Sequence, residues 1–210
     1  MPYIFFVEGN IGTGKSTFLS MIEKFYPDRC QVIYEPLDIW IDFKDNSGKN
    51  ILAYFYEDPK RYAYTFQSIA FISRISKLKE IDNTKEFIFI ERSIWADKNV
   101  FAKNCYETGS LNDIEYMLYN KWFDCLETDL SFDKDKYSFI YLKCPAQVSY
   151  NRLINRSRTE EMNISIEYME SIERQHSEWL DNNEKTIIID ANLNTKDETV
   201  FKGIFERIVN

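Results

Sequence analysis

Four residues near the amino terminus have the types and spacing of a phosphate-binding loop. Gly9, Gly14, Lys15 and Ser16 fit the pattern G-x-x-x-x-G-K-[ST]. In that pattern backbone N–H groups surround a polyphosphate, the lysine reaches the outer phosphates and the hydroxyl holds Mg²⁺. Glycine is needed because the backbone turns with positive φ and comes close to the phosphate oxygens. The predicted nucleotide-binding residues here are Gly9, Asn10, Ile11, Gly12, Thr13, Gly14, Lys15, Ser16 and Thr17.

The elements around this loop support the same interpretation. An apolar run at residues 2–7 precedes the glycines, and a helical pattern begins near Lys15. A helix at that point adds its N-terminal partial positive charge to the loop. A chance match would explain neither element, so the segment predicts a strand, a loop and a helix that bind a nucleoside triphosphate.

Composition limits the class of protein. The chain of 210 residues suits one domain, 1–210, with a central sheet between helices. Its net charge of -8 argues against a general nucleic-acid binder. Four scattered cysteines are typical of reduced thiols, and one histidine makes a zinc site or a Ser-His-Asp triad improbable. With no apolar run long enough to cross a bilayer, we expect no membrane partner and a cytoplasmic location.

Short apolar runs alternate with longer helical patterns along the whole chain. This alternation is typical of βαβ units and predicts an α/β fold with a parallel sheet. No linker or internal repeat interrupts it. The predicted strands are residues 3–7, 31–34, 87–90, 139–142 and 186–189.

Acidic residues follow two of these strands. Open parallel sheets bind ligands at the carboxyl ends of their strands. Glu35, followed by Pro36, can therefore face the phosphate loop, although alone it would more simply be a surface glutamate. Glu91 follows the third strand, where acidic residues often serve nucleotide-bound Mg²⁺.

Polar residues occur within two helical patterns that are otherwise apolar. Gln67 and Arg74 are seven residues apart and share a helix face with Ala70. They could hydrogen-bond a base, or equally form a satisfied interior pair. Asp97 and Phe101 are spaced to face the same side of a helix.

A further amphipathic helix is expected at residues 111–128. Its Trp122 and Phe123 are predicted to be buried, so packing is the favoured interpretation of this segment.

Three arginines lie close together after the fourth strand, at Arg152, Arg156 and Arg158. The alternative is a solvated helix face of mixed charge. Because the loop already predicts a triphosphate, we favour a catalytic lid at about residues 152–161. The loop at residues 191–194, with Asn192, is placed to offer main chain to a bound adenine.

Taken together, these segments resemble the deoxynucleoside kinase family. The motifs are GNIGTGKST, EPxxxW at residues 35–40, YEDP at 56–59, FQS at 66–68, ERS at 91–93, RSRTEE at 156–161 and DANLN at 190–194. Their order and spacing cover nearly the whole chain. The resemblance implies a P-loop kinase fold, with a five-stranded parallel sheet flanked by helices on both faces, and usually a homodimer.

The resemblance also implies catalytic roles. Glu35 would take the proton from a 5′-hydroxyl, and Arg92 would hold that hydroxyl and its carboxylate partner. The cationic residues implied to stabilise the transferring phosphoryl group of ATP are Lys15, Arg152, Arg156 and Arg158. Ser16 and Glu91 would serve Mg²⁺.

A deoxynucleoside pocket is implied as well. Gln67 would read the base edge, with Phe101 stacking on the base and Trp40 forming a wall. The residues implied to hold the 3′-hydroxyl are Tyr56 and Glu161.

The implied base preference follows from a charged pair. Thymidine-accepting members of the family lack this pair, whereas deoxycytidine and deoxyguanosine kinases carry an arginine and an aspartate. Arg74 and Asp97 match it, which favours deoxycytidine or a purine deoxynucleoside over thymidine. Ala70 resembles the deoxycytidine side of the family but cannot decide between cytosine, guanine and adenine.

Two other functions compete with this one. A nucleoside monophosphate kinase of the thymidylate kinase type shares the loop and the Glu-Pro, but it has an arginine where this chain has Tyr34. A nucleotide-dependent switch should show N-K-x-D, and residues 120–123 read NKWF. The D-x-x-G match at residues 45–48 is more simply a turn.

Overall fold

Five parallel strands form the centre of the structure, a computed structural model that describes residues 1–128, 133, 135–156 and 158–209. The order across the sheet is β2-β3-β1-β4-β5, and every neighbouring pair is parallel. Each predicted strand is found within two residues of its expected ends. The strands among the described residues are β1 (Tyr3–Glu8), β2 (Cys30–Ile33), β3 (Phe87–Glu91), β4 (Tyr137–Lys143) and β5 (Thr186–Asp190).

Helices cover both faces of this sheet. Along β1, Phe5 belongs to a core cluster that includes helix residues Phe18 and Phe201, whereas Phe6 belongs to another that includes Leu180. Successive side chains of a strand point to opposite faces, so a strand buried on both faces is apolar throughout. The expected α/β architecture is confirmed.

Several of the described helices begin where the local sequence provides a cap. The Asn50 and Ser165 side chains accept hydrogen bonds from the first turns of their helices, and Pro59 separates two helices at the predicted break. The described helices are α1 (Lys15–Phe25), α2 (Leu37–Asp42), α3 (Ile51–Glu57), α4 (Pro59–Leu78), α5 (Ile94–Ala96), α6 (Lys103–Glu107), α7 (Asp113–Thr128), α8 (Ala146–Arg156), α9 (Ile166–Leu180) and α10 (Glu198–Val209), with a π-helical segment at Asp97–Ala102 and a 3₁₀ turn at Thr159–Glu161.

One expectation for α7 is wrong. Phe123 is buried, but Trp122 is 54% exposed. Consecutive residues of a helix lie about 100° apart around its axis, so the burial of Phe123 does not predict the burial of Trp122. Leu118 and Ile114, four and eight residues before Trp122, are exposed as well. Helix α7 therefore carries an apolar stripe that faces away from the core.

None of the described helices combines the length and the apolar character needed to span a lipid bilayer.

Strand order determines where a ligand can enter. The chain leaves β1 for β2 and β3 on one side, and later places β4 on the other side. The carboxyl end of β1 is thus a topological switch point, where open parallel sheets form a crevice. The phosphate loop begins at this point.

Candidate active site

A cleft of about 900 Å³ opens at the carboxyl end of the sheet. It collects side chains from the phosphate loop, the ends of β2 and β3, helices α2 to α4, the lid and the loop after β5. Of the predicted site residues, Gly9 and Asn10 do not line it. Those that line it are Ile11, Gly12, Thr13, Gly14, Lys15, Ser16, Thr17, Glu35, Trp40, Tyr56, Gln67, Ala70, Arg74, Glu91, Arg92, Asp97, Phe101, Arg152, Arg156, Arg158, Glu161 and Asn192.

The phosphate loop has the backbone that its glycines allow. Gly12 has φ +82°, and a Cβ there would lie 2.3 Å from the carbonyl oxygen of Ser149 on α8. Gly14 has φ +100° but open space around it. The Asn10 side chain joins the loop to α9, since its Nδ2 donates to the carbonyl oxygen of Met169. The loop is therefore held closely between β1 and two helices.

Substitution of Gly12 and of Gly14 should separate the cost of backbone strain from the cost of a steric clash. Gly14→Ala is expected to cost about 1–2 kcal/mol, the penalty for a side chain in a left-handed backbone. Gly12→Ala should lower the free energy of unfolding further and weaken nucleotide binding, because its methyl also meets Ser149. Urea unfolding and nucleotide titration measure both. Equal losses in the two variants would contradict the close packing of Gly12 on α8.

Lys15 begins α1 and turns back into the loop. Its Nζ donates to the carbonyl oxygens of Asn10 at 2.8 Å and Gly9 at 3.2 Å. Burial, helped by the positive charge of Arg92, lowers the pKa of Lys15 to about 7. A ligand rich in negative charge would restore the charged form.

Glu35 lies beside two guanidinium groups. Its Oε1 is 2.5 Å from Nη2 of Arg74 and 3.2 Å from Nε of Arg92. Burial alone would raise the pKa of Glu35, but the charges of Arg74, Arg92 and Lys15 outweigh it and lower the pKa to about 2. The carboxylate is thus ionised and fixed at the edge of the phosphate loop.

Arg74 joins the expected base pocket to this carboxylate. Its Nε lies 2.9 Å from both carboxylate oxygens of Asp97, and its Nη1 donates to the carbonyl oxygen of Glu91. Burial raises the pKa of Asp97 to about 6, although Arg74 opposes the shift. The pairing of Arg74 with Asp97 was implied by the resemblance to deoxynucleoside kinases, but nothing in the sequence indicated the contact of Arg74 with Glu35.

Arg92 is held in an unusual backbone conformation. Its φ of 62° is the only positive value among the described residues other than glycine. The turn is supported by Arg92 N–H donating to Val7 and by Ser93 N–H donating to Glu8 Oε1 at 2.8 Å. This geometry directs the guanidinium to Glu35 and over the ring of Phe101, 4.7 Å away.

Sequence reasoning missed Glu8. The residue is fully buried, and burial raises its pKa to about 7. A carboxylate at the end of an otherwise apolar strand was the available signal. Its contact with Ser93 identifies Glu8 as a support for the strained turn at Arg92.

The predicted lid contributes its arginines to the cleft. Arg152 Nη1 donates to the carbonyl oxygens of Thr13 and Ala191, so it joins the phosphate loop to the loop after β5. Arg156 and Arg158 both pair with the buried carboxylate of Glu161. Ser157, within the same predicted lid, lies outside the described residues.

A second contact ties the lid to the opposite wall. Asn50 caps α3 through its Oδ1, while its Nδ2 donates to Glu160 Oε1 at 3.1 Å. Helix α3 also carries Tyr56, which lines the cleft. The lid and the wall that bears Tyr56 are therefore connected directly.

The deeper part of the cleft is aromatic. Trp40 Nε1 donates to Ser73 Oγ, and the Trp40 ring meets Phe66 edge to face. Gln67 is 1% exposed, with Nε2 3.9 Å from Cys105 Sγ. These side chains line an aromatic slot with one amide in its wall, a composition that suits a planar heterocycle.

Ser16 and Glu91 form a pair suited to Mg²⁺. The Ser16 hydroxyl donates to Glu91 Oε1 at 2.9 Å, beside Lys15 in the cleft. Mg²⁺ at nucleotide sites usually takes one or two protein oxygens and completes its shell with phosphates and water. The two side chains fit this ligand set.

Comparisons with known proteins agree with one another. The family model described as deoxynucleoside kinase matches residues 5–210. Deoxycytidine kinase 2 of Gallus gallus is 35% identical, over 88% of this chain and 75% of the relative. Deoxycytidine kinase 1 of Xenopus laevis is 34% identical, over 83% and 72%. The mitochondrial deoxyguanosine kinase of Xenopus laevis is also 34% identical, over 83% of this chain and 71% of the relative.

Proposed function

The chain belongs to the deoxynucleoside kinase family, and from this membership we propose that it transfers the γ-phosphoryl group of ATP to the 5′-hydroxyl of a 2′-deoxynucleoside, for nucleotide salvage. The observation that carries the proposal is the position of Glu35. Its ionised carboxylate shares one cleft with the phosphate loop and lies next to Arg92. The cleft thus offers a proton acceptor, a triphosphate site and an aromatic slot within reach of one another.

The transfer needs positioning and neutralisation of charge. The 5′-oxygen forms a bond to the γ-phosphorus while the bond from that phosphorus to the leaving oxygen of ADP breaks. Glu35 receives the hydroxyl proton. A carboxylate with a pKa of about 2 is a weak base. Glu35 can still accept the proton in a loose transition state, because the attacking hydroxyl becomes acidic only as its bond to phosphorus forms.

Cationic side chains surround the position proposed for the transferring phosphoryl group. Lys15 lies in the loop, and the lid supplies three arginines whose forked donors match phosphoryl oxygens. Mg²⁺, held by Ser16 and Glu91, would neutralise charge on the phosphates. In the present arrangement Glu161 holds Arg156 and Arg158. A triphosphate competes for the same guanidinium groups, which supports a lid that closes on its donor.

Protons should be taken up when ATP binds. Lys15 is mostly neutral above its pKa of about 7 in the free enzyme, and the triphosphate favours the charged form. Binding at a pH of about 8 should therefore absorb up to one proton, and affinity should fall as pH rises. Calorimetry in buffers of different ionisation enthalpy measures the uptake. Lys15→Arg should abolish it, since arginine stays charged; binding by the wild type without proton exchange would contradict the prediction.

Deoxycytidine or a purine deoxynucleoside is the proposed acceptor, in preference to thymidine. Support comes from the braced Arg74 and Asp97 pair and from relatives named as deoxycytidine and deoxyguanosine kinases. A monophosphate acceptor is disfavoured because Tyr34, whose hydroxyl donates to Glu23, offers no positive charge.

Acceptor-dependent ATP consumption with Mg²⁺ tests the proposal. Deoxycytidine, deoxyguanosine, deoxyadenosine, thymidine and thymidine monophosphate are compared in parallel. We expect turnover on a nucleoside other than thymidine and none without an acceptor. Thymidine as the clear favourite would refute the base preference, and turnover of the monophosphate alone would refute the reaction.

A homodimer in the cytoplasm is the proposed state. Four free cysteines support a reducing compartment. The exposed stripe of Ile114, Leu118 and Trp122 on α7 supports association, because exposed apolar patches often mark protein contacts.

Trp122→Glu should give a monomer in analytical ultracentrifugation. Phe43→Glu, at an equally exposed aromatic outside α7, should leave the mass unchanged; a monomeric wild type would refute the proposal.

A further inference from the structure

The amide of Gln67 is buried with one end unsatisfied. Its Oε1 has no hydrogen-bond partner in the described part of the chain, and its Nε2 contacts only Cys105 Sγ at 3.9 Å. An unpaired buried amide oxygen is costly, so the group is prepared for a ligand that completes it. Gln67 lines the cleft, whereas Cys105 lies behind it, on α6.

The thiol of Cys105 can serve the amide in two ways. A thiol donates its S–H weakly and accepts weakly at sulfur. Cys105 is 3% exposed, and burial raises its pKa to about 12, so the proton stays on the sulfur at neutral pH. It can accept from Nε2–H, as observed, or donate to Oε1 if the amide turns over.

Bases differ in what they require from such an amide. Cytosine and adenine present an amino donor beside a ring-nitrogen acceptor. Guanine and uracil present a ring N–H donor beside a carbonyl acceptor. A glutamine amide has one acceptor and one donor end, so it matches the second pattern only after a half-turn that exchanges its oxygen and nitrogen.

We propose that Cys105 is a positioning residue that sets base specificity, because its thiol supports both orientations of the Gln67 amide and so lets the pocket accept amino-type and oxo-type bases. In one orientation Nε2–H donates to Sγ; in the other S–H donates to Oε1. The inference rests on the proposed deoxynucleoside acceptor. It adds Cys105, a residue outside the cleft, to those that determine which base is accepted.

Three substitutions separate the thiol's roles. Cys105→Ser keeps a group that both donates and accepts. Cys105→Met keeps only a weak acceptor, and Cys105→Leu supplies neither at nearly the volume of methionine. The readouts are the kcat/KM ratios for deoxycytidine over deoxyuridine and deoxyadenosine over deoxyinosine, pairs that differ only in the amino or oxo pattern. Thermal unfolding checks that each variant is folded.

We expect serine to retain both ratios. Cys105→Met should shift both kcat/KM ratios in the same direction, by about three- to tenfold relative to Cys105→Leu. A shift of this size is expected from a weak hydrogen bond that favours one orientation of the Gln67 amide. The shift should lie in KM, since the groups that transfer the phosphoryl are untouched. Ratios that agree between methionine and leucine, or a serine variant that shifts as far as methionine, would overturn the role of Cys105. A wild type that phosphorylates none of the four nucleosides would overturn the proposed function and this inference together.

Discussion

Glu35→Gln is expected to lower kcat by about 10²- to 10⁴-fold, the usual contribution of a positioned proton acceptor. The amide keeps the shape of the side chain and can still face Arg92, but it cannot accept the hydroxyl proton. Binding of the nucleoside should be retained, so the loss lies in kcat. Steady-state kinetics and equilibrium binding of the best acceptor measure the two effects separately.

The control for this variant is Glu86→Gln. Glu86 is an exposed carboxylate that also pairs with an arginine, Arg29, but lies outside the cleft. Its replacement should leave kcat unchanged. Undiminished turnover in Glu35→Gln would remove Glu35 from the mechanism.

The acidity of Glu35 adds a pH criterion. Because its pKa is lowered to about 2, the carboxylate remains ionised at pH values where an ordinary glutamate takes up a proton. Activity should therefore show no acid limb near the ordinary glutamate value of about 4.3. An acid limb at that pH which disappears in Glu35→Gln would show that the three cationic neighbours do not hold the pKa low.

Arg74→Met should cause the largest loss of stability, about 3–5 kcal/mol, the cost of removing one partner from a buried ion pair. The substitution leaves Asp97, 1% exposed, without its guanidinium, and removes one of the two arginines at Glu35. Urea unfolding measures the loss. Adding Asp97→Ala should recover most of it, since the uncompensated carboxylate is then gone, and should shift acceptor preference towards thymidine.

The loss should also depend on pH. Without Arg74 the pKa of Asp97 rises above its present value of about 6, whereas in the unfolded chain it returns to the ordinary range. Between the pKa of the unfolded chain and the raised pKa of the folded variant, the folded form binds more protons, so its stability falls as pH rises across that interval.

Arg29→Met provides the matched control, because Arg29 and Glu86 form an exposed pair whose attraction is screened by water and contributes little to stability. Equal losses for Arg74→Met and Arg29→Met would contradict a buried network around Glu35.

The sheet and the phosphate loop are predictable from the sequence, as are most of the residues that meet in the cleft. The sheet and the loop depend on local rules, whereas the site roles of Trp40, Tyr56 and Glu161 were implied by the resemblance to the family. Glycine spacing defines the loop, apolar runs define strands buried on both faces, and strand ends in a parallel sheet converge on one edge. Helical spacing likewise placed Gln67, Ala70 and Arg74 on one face, and all three line the cleft.

The partner that each side chain meets depends on long-range packing and is visible in the folded chain alone. Arg74 contacts Glu35 from 39 residues away, and Glu8 supports Ser93 from 85 residues away. Periodicity defines the face of a helix, but strand order and side-chain packing choose what that face touches. Trp122 shows the same limit, since its exposure depends on what packs against α7 and not on its own apolar character.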